Sequence, residues 1–269
     1  MRIIRFHGED GKVCLARDLG DGTVERLNGR IFDQNSPIVP SGEILAVPDH
    51  LLAPLVPTNI FCIGLNYAKH AKEGGREVPP RPLIFMKPTS SLNHPGQPIR
   101  IPDCEMEGPE TDYECELVVV IGQPARNVLE EDALKFVFGY TCGNDVSARQ
   151  WQRVGGNGQW IRGKGFDTFC PMGSALLTAD EIPDPQSLSI RTILNGQVMQ
   201  QDHTSNMIFS VRRLISFMSQ DTTLLPGTVI FTGTPEGVGF ARKPPVWLKS
   251  GDEVTIEIEK IGRLTNPVQ

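Results

Sequence analysis

The stretch Tyr113-Glu114-Cys115-Glu116-Leu117-Val118-Val119-Val120-Ile121 decides the fold, because it contains the clearest β-strand pattern in the chain. Successive side chains on a strand point to opposite faces, so Glu114 and Glu116 share one face. The apolar side chains between them point to the other face, and Gly122 ends the run. The stretch therefore predicts a buried strand that begins with two carboxylates on one face.

Two interpretations of these carboxylates remain open on this stretch alone. The start of the strand could protrude into solvent, because charged side chains are rarely buried without partners. Alternatively, Glu114 and Glu116 could hold a hard cation such as Mg²⁺ or Mn²⁺, which prefers oxygen ligands.

A third acid favours the cation. Asp145 follows the apolar run Phe138–Cys142, and residues Val146–Gln152 can form a helix. Asp145 could simply cap that helix. If it instead meets the two glutamates, three carboxylates bind one divalent ion and leave coordination positions open for water or substrate.

The bulk composition excludes several classes of protein. The 269 residues carry a net charge of −6, with 39% hydrophobic and 22% charged residues, as in an ordinary globular protein. The sequence contains no Lys/Arg cluster of the kind that predicts nucleic-acid binding. None of its apolar runs is long enough to predict a membrane span. The N-terminus lacks a signal-peptide pattern, so we expect a cytoplasmic protein. The six cysteines form no Cys-x-x-Cys pair and predict neither a zinc site nor a disulfide framework.

The pattern of elements predicts an α+β protein that is mostly β. Residues 1–57 predict a small N-terminal β domain with a Pro-containing connector at Leu51–Pro57, and residues 58–269 a larger domain. The predicted strands are Met1–Arg5, Lys12–Ala16, Ile60–Gly64, Leu83–Met86, Glu114–Ile121, Phe138–Cys142, Ser189–Leu194, Thr228–Thr232 and Glu253–Glu259. The predicted helices are Tyr67–Glu73, Glu130–Phe136, Val146–Gln152 and Ser210–Gln220.

Five motifs in a fixed order resemble the fumarylacetoacetate hydrolase family, over roughly residues 58 to 265. They are Gly64-Leu65-Asn66-Tyr67-Ala68-Lys69-His70, Tyr113-Glu114-Cys115-Glu116-Leu117, Asn144-Asp145-Val146-Ser147-Ala148-Arg149, Gly163-Lys164-Gly165-Phe166-Asp167-Thr168 and Thr232-Gly233-Thr234-Pro235-Glu236-Gly237-Val238-Gly239. The resemblance implies a mixed β-roll, usually as a homodimer, with Mg²⁺ or Mn²⁺ on Glu114, Glu116 and Asp145. It also implies that His70 and Glu73 activate water, and that Arg149, Gln152 and Lys164 lie around the substrate.

The chemistry of these residue types is compatible with that site. His70 and Glu73 share a helix face at i and i+3, where a carboxylate fixes the histidine tautomer, although an exposed ion pair is the alternative. The Arg149 guanidinium suits a substrate carboxylate, although it could instead pair with Asp145. Lys164 could be a surface loop lysine or a basic group in the site.

Two further residues are weaker candidates for substrate binding. Lys87 follows an apolar run and could add positive charge to the site. Thr234 lies in the Gly-rich stretch Gly233–Gly239, which is either a tight turn or a set of backbone N–H groups for a substrate's far carboxylate.

The function predicted first is metal-dependent hydrolysis of a C–C bond in a 2,4-dioxo acid such as an acylpyruvate. The ion would stabilise an enolate, His70 oriented by Glu73 would activate water, and Lys164 would stabilise negative charge. The same enolate occurs in decarboxylation or tautomerisation of oxaloacetate and in isomerases or hydratases of aromatic degradation, so these alternatives remain open. A small anionic 2-oxo acid is the expected partner in each case.

Overall fold

The computed structural model describes residues 1–104, 108–155 and 157–269. Within them the strands are β1 Arg2–His7, β2 Val13–Asp18, β3 Thr23–Asn28, β4 Val39–Ala46, β5 Leu51–Leu52, β6 Ile60–Gly64, β7 Leu83–Lys87, β8 Leu92–Asn93, β9 Thr111–Asp112, β10 Cys115–Ile121, β11 Val137–Asn144, β12 Ser147–Ala148, β13 Cys170–Pro171, β14 Leu176–Thr178, β15 Ser189–Leu194, β16 Gln197–His203, β17 Val229–Phe231, β18 Glu253–Ile258 and β19 Gly262–Pro267. The α-helices are α1 Ala68–Glu73, α2 Ile161–Lys164 and α3 Val211–Met218. The structure is therefore a sheet-dominated α+β fold with few helices, as predicted.

One large mixed sheet organises the molecule, in the order β4-β3-β2-β1-β14-β11-β10-β17-β6-β7. A second sheet of order β16-β15-β18-β19 packs beside it. Strand β10 lies inside the large sheet, antiparallel to β11 and to β17. The strand that the sequence marks most clearly is thus enclosed on both edges.

Strand β10 is buried on both faces as well. Cys115, Leu117, Val119 and Ile121 pack in one apolar cluster, whereas Val118 and Val120 pack in another. This alternation is the one predicted from the sequence, and it places Glu116 on the face of Val118 and Val120. Because every residue of β10 is buried, the solvent-exposed interpretation of this strand is wrong.

The N-terminal strands continue the large sheet. Ile3 of β1 pairs with Leu176 of β14, and β2 and β3 follow on the outer side. The boundary of a separate domain near residue 57 stays a prediction.

The predicted helices have mixed outcomes. Helix α1 begins one residue later than predicted. Helix α3 lies within the predicted range. The Ser210 hydroxyl caps it by accepting a hydrogen bond from the backbone N–H of Arg213 at 3.2 Å. Residues Glu130–Phe136 form a 3₁₀ helix rather than an α-helix.

The predicted helix Val146–Gln152 is confirmed only in its second half, where Arg149 and Gln150 are helical. Ser147 and Ala148 form β12, which pairs with β9, and a π-helical turn covers Trp151–Gly155. Pairing with a distant strand overrides the local helical preference, which is weak in comparison with tertiary contacts. Nowhere in the described ranges is there a helix long and apolar enough to cross a membrane.

Candidate metal centre and active site

Strand register brings the three predicted ligands together. Cys115 of β10 pairs with Asn144 of β11, and the backbone N–H of Asp145 donates to the carbonyl oxygen of Glu114 at 2.9 Å. Oxygen atoms of Glu114, Glu116 and Asp145 lie within 4.8 Å of one another, and all three side chains are buried. The helix-cap alternative for Asp145 is wrong, because β12 follows it instead of a helix.

The carboxylate cluster fits a divalent cation. Burial, followed by the nearby charges of Asp145 and Glu114, raises the pKa of Glu116 well above its ordinary value. Three crowded carboxyl groups of this kind repel one another unless a proton or a cation lies between them. An all-oxygen donor set is the kind that Mg²⁺ and Mn²⁺ prefer.

Lys164 contacts two of the three carboxylates. Its Nζ atom lies 2.7 Å from Oε2 of Glu114 and 2.8 Å from Oδ2 of Asp145. Burial lowers the pKa of Lys164, but the charges of Asp145 and Glu114 outweigh this effect and leave the pKa raised. Lys164 is therefore a buried ammonium group inside the site, and the surface-loop interpretation is wrong.

Gly163, the residue before Lys164, allows helix α2 to pack closely on a neighbouring backbone segment. A Cβ atom on Gly163 would lie 2.5 Å from the backbone nitrogen of Gln152 and 2.8 Å from the carbonyl oxygen of Ala148. Only glycine lets these two backbone segments approach so closely. The close contact brings Lys164 under the ends of β10 and β11.

Lys87 lies behind the cluster rather than in the substrate cavity. Its ammonium group contacts Asp145 Oδ1 and donates to the carbonyl oxygen of Val146 at 3.0 Å. The side chain is fully buried at the end of β7. Lys87 is thus placed to hold Asp145, which corrects the prediction that it binds substrate.

Arg149 bridges two carboxylates, neither of which is Asp145. Its Nη2 atom lies 2.7 Å from Oε1 of Glu114 and 2.8 Å from Oδ2 of Asp112. Its Nη1 atom donates to Oε1 of Gln152 at 3.0 Å. The alternative in which Arg149 pairs with Asp145 is therefore wrong, because Arg149 contacts two acids from the segment before β10 instead.

His70 and Glu73 form the predicted pair on α1. Nδ1 of His70 lies 2.7 Å from Oε1 of Glu73, and Oε2 of the same carboxylate accepts a hydrogen bond from the backbone N–H of Gly237 at 2.8 Å. His70 is buried, so the exposed-helix alternative is wrong. A carboxylate at Nδ1 fixes the tautomer that leaves Nε2 able to accept a proton.

The Gly-rich stretch orients the protein's own acids. The backbone N–H of Gly233 donates to Glu116 at 2.7 Å, and that of Gly237 donates to Glu73 at 2.8 Å. The backbone N–H of Gly239 donates to Asp112 at 2.7 Å. These N–H groups are therefore engaged, and the prediction that they receive a substrate carboxylate does not fit. Thr234 does line the cavity, and its hydroxyl accepts a hydrogen bond from the Gln200 side chain at 2.8 Å.

A cavity of about 680 Å³ opens onto these groups. Its polar side includes His70, Glu114, Glu116, Arg149, Gln152, Lys164 and Thr234. Its apolar side includes Leu65, Leu83, Phe85 and Trp160, with the Phe85 and Trp160 rings edge to face at 5.3 Å. The cavity thus brings Glu114, Glu116, Lys164 and His70 into a single chamber.

Sequence reasoning missed Asp112 and Phe240. Asp112 precedes Glu114 by two residues, so the alternation that selected Glu114 and Glu116 could have been extended to it. Phe240 lines the cavity with its ring centroid 4.7 Å from the Arg149 guanidinium. No local pattern marks Phe240, because its position depends on a contact with a distant segment.

Comparison with known proteins identifies the family of the chain. The C-terminal model of the fumarylacetoacetate (FAA) hydrolase family matches residues 59–269. The chain belongs to the fumarylacetoacetate hydrolase family. It is 46% identical over 252 residues to a Xenopus laevis protein named oxaloacetate tautomerase fahd2, mitochondrial, covering 93% of this chain and 76% of that protein. It is 45% identical to the Rattus norvegicus oxaloacetate tautomerase Fahd2a, mitochondrial, covering 100% of this chain and 91% of that one.

A solved structure of the fumarylacetoacetate hydrolase type is similar over the whole chain. The 5-carboxymethyl-2-hydroxymuconate delta-isomerase from Mycobacterium smegmatis superposes with a TM-score of 0.85 and 40% identity, covering 100% of this chain and 99% of that one. The named relatives are therefore tautomerases and an isomerase. They favour the alternative function predicted from the sequence over C–C hydrolysis.

Proposed function

We propose that this protein interconverts the enol and keto forms of oxaloacetate or of a closely related small 2-oxo acid. Glu114, Glu116 and Asp145 would hold Mg²⁺ or Mn²⁺. The observation that carries the proposal is the cluster of these buried carboxylates around Lys164, of which Glu114, Glu116 and Lys164 line one cavity with His70. The similarity to proteins named oxaloacetate tautomerase supports the choice of substrate.

The reaction moves one proton and breaks no carbon–carbon bond. In the enol-to-keto direction the enol oxygen loses a proton and carbon 3 gains one. His70 carries the proton through Nε2, since Glu73 holds Nδ1. The ammonium group of Lys164 donates to the oxygen that bears negative charge. When bound, the divalent ion supplies Lewis-acid stabilisation of that charge.

The remaining polar side chains of the cavity bind and orient the substrate. Arg149 and Gln152 line the cavity next to Glu114, where they can receive a carboxylate group of the substrate. Thr234 offers a hydroxyl on the same polar side. The apolar side chains exclude water from the rest of the chamber, which strengthens these electrostatic contacts.

The decisive experiment follows the ultraviolet absorbance of enol-oxaloacetate. We expect the wild-type protein to accelerate its decay, EDTA to abolish the acceleration, and added Mn²⁺ to restore it. Glu114→Gln should lack the acceleration at the same free Mn²⁺, and a protein-free blank corrects for catalysis by the ion in solution. Undiminished turnover after complete removal of divalent ions would overturn the proposal.

Hydrolysis of an acylpyruvate is the second candidate, favoured by the 2.7 Å contact between His70 and Glu73. A histidine with a fixed tautomer can equally deprotonate water. Acetylpyruvate assayed beside oxaloacetate separates the two candidates, because only a hydrolase releases pyruvate and acetate from it.

The oligomeric state, the domain division and the cellular location of the protein remain proposals. We expect a homodimer, a β-roll in residues 58–269 and a separate β domain in residues 1–57. The cytoplasmic location also stays a prediction, and the two named tautomerases carry the word mitochondrial in their names. We expect no binding to nucleic acid.

A further inference from the structure

Asp112 is a buried carboxylate that contacts two separate parts of the site. Its Oδ1 atom accepts a hydrogen bond from the backbone N–H of Gly239 at 2.7 Å, and its Oδ2 atom accepts one from Phe240 at 3.0 Å. Oδ2 also accepts a hydrogen bond from Nε of Arg149 at 2.9 Å and lies 2.8 Å from Nη2. Asp112 therefore fixes both the guanidinium and the backbone that presents the Phe240 ring to it.

The guanidinium held by Asp112 is the one that reaches a proposed metal ligand. Nη2 of Arg149 lies 2.7 Å from Oε1 of Glu114, while Oε2 of Glu114 faces Lys164 at 2.7 Å. Both oxygens of Glu114 thus have cationic neighbours. A divalent ion has to compete with these cations for the carboxylate.

The charges of the described cluster show why Asp112 matters in this competition. Without Asp112, three carboxylates face three cationic groups: Glu114, Glu116 and Asp145 against Lys87, Arg149 and Lys164. An ion would then enter a site that is already neutral when all these groups are ionised. With Asp112 ionised as well, the charge of Arg149 is balanced by a partner other than Glu114, so one negative charge of the three carboxylates is left for the ion.

We infer that Asp112 is a positioning residue that holds Arg149 and limits its interaction with Glu114, so that Glu114 remains available to the divalent cation. The inference rests on the proposed metal site. Asp112 itself is not assigned as a ligand. Its effect on the cation passes through Arg149, as the hydrogen bonds of a metal ligand's partners generally affect metal affinity.

The test measures Mn²⁺ affinity by isothermal titration calorimetry, independently of turnover. Asp112→Asn keeps the side-chain shape but removes the charge and one acceptor. We expect its Mn²⁺ affinity to fall roughly 10- to 100-fold, the range found when partners of metal ligands are removed. In an Arg149→Gln background, the same Asp112→Asn change should alter the affinity less than about threefold, because the competing guanidinium is absent.

A matched control separates this effect from general destabilisation. Glu25 is also a buried carboxylate, but it lies in the N-terminal strands. It accepts hydrogen bonds from Nε of Arg17 at 2.6 Å and from the backbone N–H of Gly42 at 2.9 Å. Glu25→Gln should leave the Mn²⁺ affinity within about threefold of wild type.

The outcomes distinguish this inference from the proposed function. Wild-type protein that binds no Mn²⁺ would overturn the metal site and this inference with it. Wild-type binding together with unchanged affinity in Asp112→Asn would overturn the inference alone. If Asp112→Asn does not fold, the Mn²⁺ affinity of Arg149→Gln is compared with that of the Asp112→Asn/Arg149→Gln double variant. Equal affinities would support a role of Asp112 through Arg149. A tenfold difference would contradict that role.

Discussion

The Nζ atom of Lys164 lies 2.7 Å from Oε2 of Glu114, which places an ammonium group directly on a proposed metal ligand. Under the proposed function, the lysine and a divalent ion would share this carboxylate in different roles. The ion would draw on the negative charge of Glu114, whereas the substrate would draw on the positive charge of Lys164. Substitution of the lysine can separate the two roles.

Lys164→Met should bind Mn²⁺ at least as tightly as wild type, because two ligand carboxylates lose a competing cation. Its kcat with enol-oxaloacetate should fall roughly 100- to 1,000-fold, the usual loss when a donor that stabilises a developing oxyanion is removed. Calorimetry and the absorbance assay measure the two quantities. Lys72→Met, an exposed lysine on α1, is the control and should change neither quantity. Mn²⁺ binding weakened tenfold by Lys164→Met would contradict the assignment.

His70→Ala should retain Mn²⁺ binding and lose roughly 100- to 10,000-fold in kcat, since His70 is proposed to carry the proton. Glu73→Gln should lose less, because the histidine remains and only its orientation and basicity change. His203→Ala is the control, since His203 bonds Ser205 at 2.8 Å and does not line the cavity. An unchanged rate with oxaloacetate, combined with lost acetylpyruvate cleavage, would favour the hydrolase.

The raised pKa of Glu116 predicts a pH dependence for the metal-free protein. Burial and the neighbouring acids raise this pKa above its ordinary value of 4.5, so the folded protein holds a proton that the unfolded chain releases. Glu116 then stabilises the fold fully below about pH 4.5, and this contribution is lost as the pH rises toward the pKa of the folded state. Thermal melts in EDTA should show a smaller decline with rising pH for Glu116→Gln than for wild type. Identical slopes for the two proteins would rule this out.

Gly64→Ala should destabilise the protein and disturb the apolar side of the cavity. A Cβ atom on Gly64 would lie 2.5 Å from Cζ3 of Trp160, so the ring must move. Overpacking of this kind costs about 1–3 kcal/mol. Gly74→Ala is the matched control, because its Cβ would meet Phe240 at an ordinary 3.4 Å. Thermal melts compare the two variants, and equal melting temperatures would show that Trp160 moves without cost.

The site could be predicted from the sequence where local periodicity determines it. Alternation along residues 113–121 placed Glu114 and Glu116 on one face, and the i, i+3 spacing placed His70 beside Glu73. The family motifs then linked Asp145 to the two glutamates. Each of these predictions depends on residues close in sequence or on an ordered set of motifs.

The parts that were wrong depend on contacts between distant residues. Ser147 and Ala148 join Thr111 and Asp112 in a strand pair, which no helical pattern in 146–152 can reveal. Lys87 contacts Asp145 across 58 positions of the sequence, so its burial behind the cluster depends on the order of strands in the sheet. Such pairings require the register of the whole sheet, which a single sequence does not provide.

The three glycine N–H groups between residues 233 and 239 bind carboxylates from two separate parts of the chain, Glu73 on α1 and the pair Asp112 and Glu116. The length of this segment is therefore constrained by three fixed points at once. A single inserted or deleted residue would displace Glu116, Glu73 or Asp112 from its donor, even though the segment lies in a loop, where length changes are commonly tolerated. Efforts to change the substrate preference of this enzyme should therefore vary the side chains of the cavity wall and leave the length of this loop unchanged.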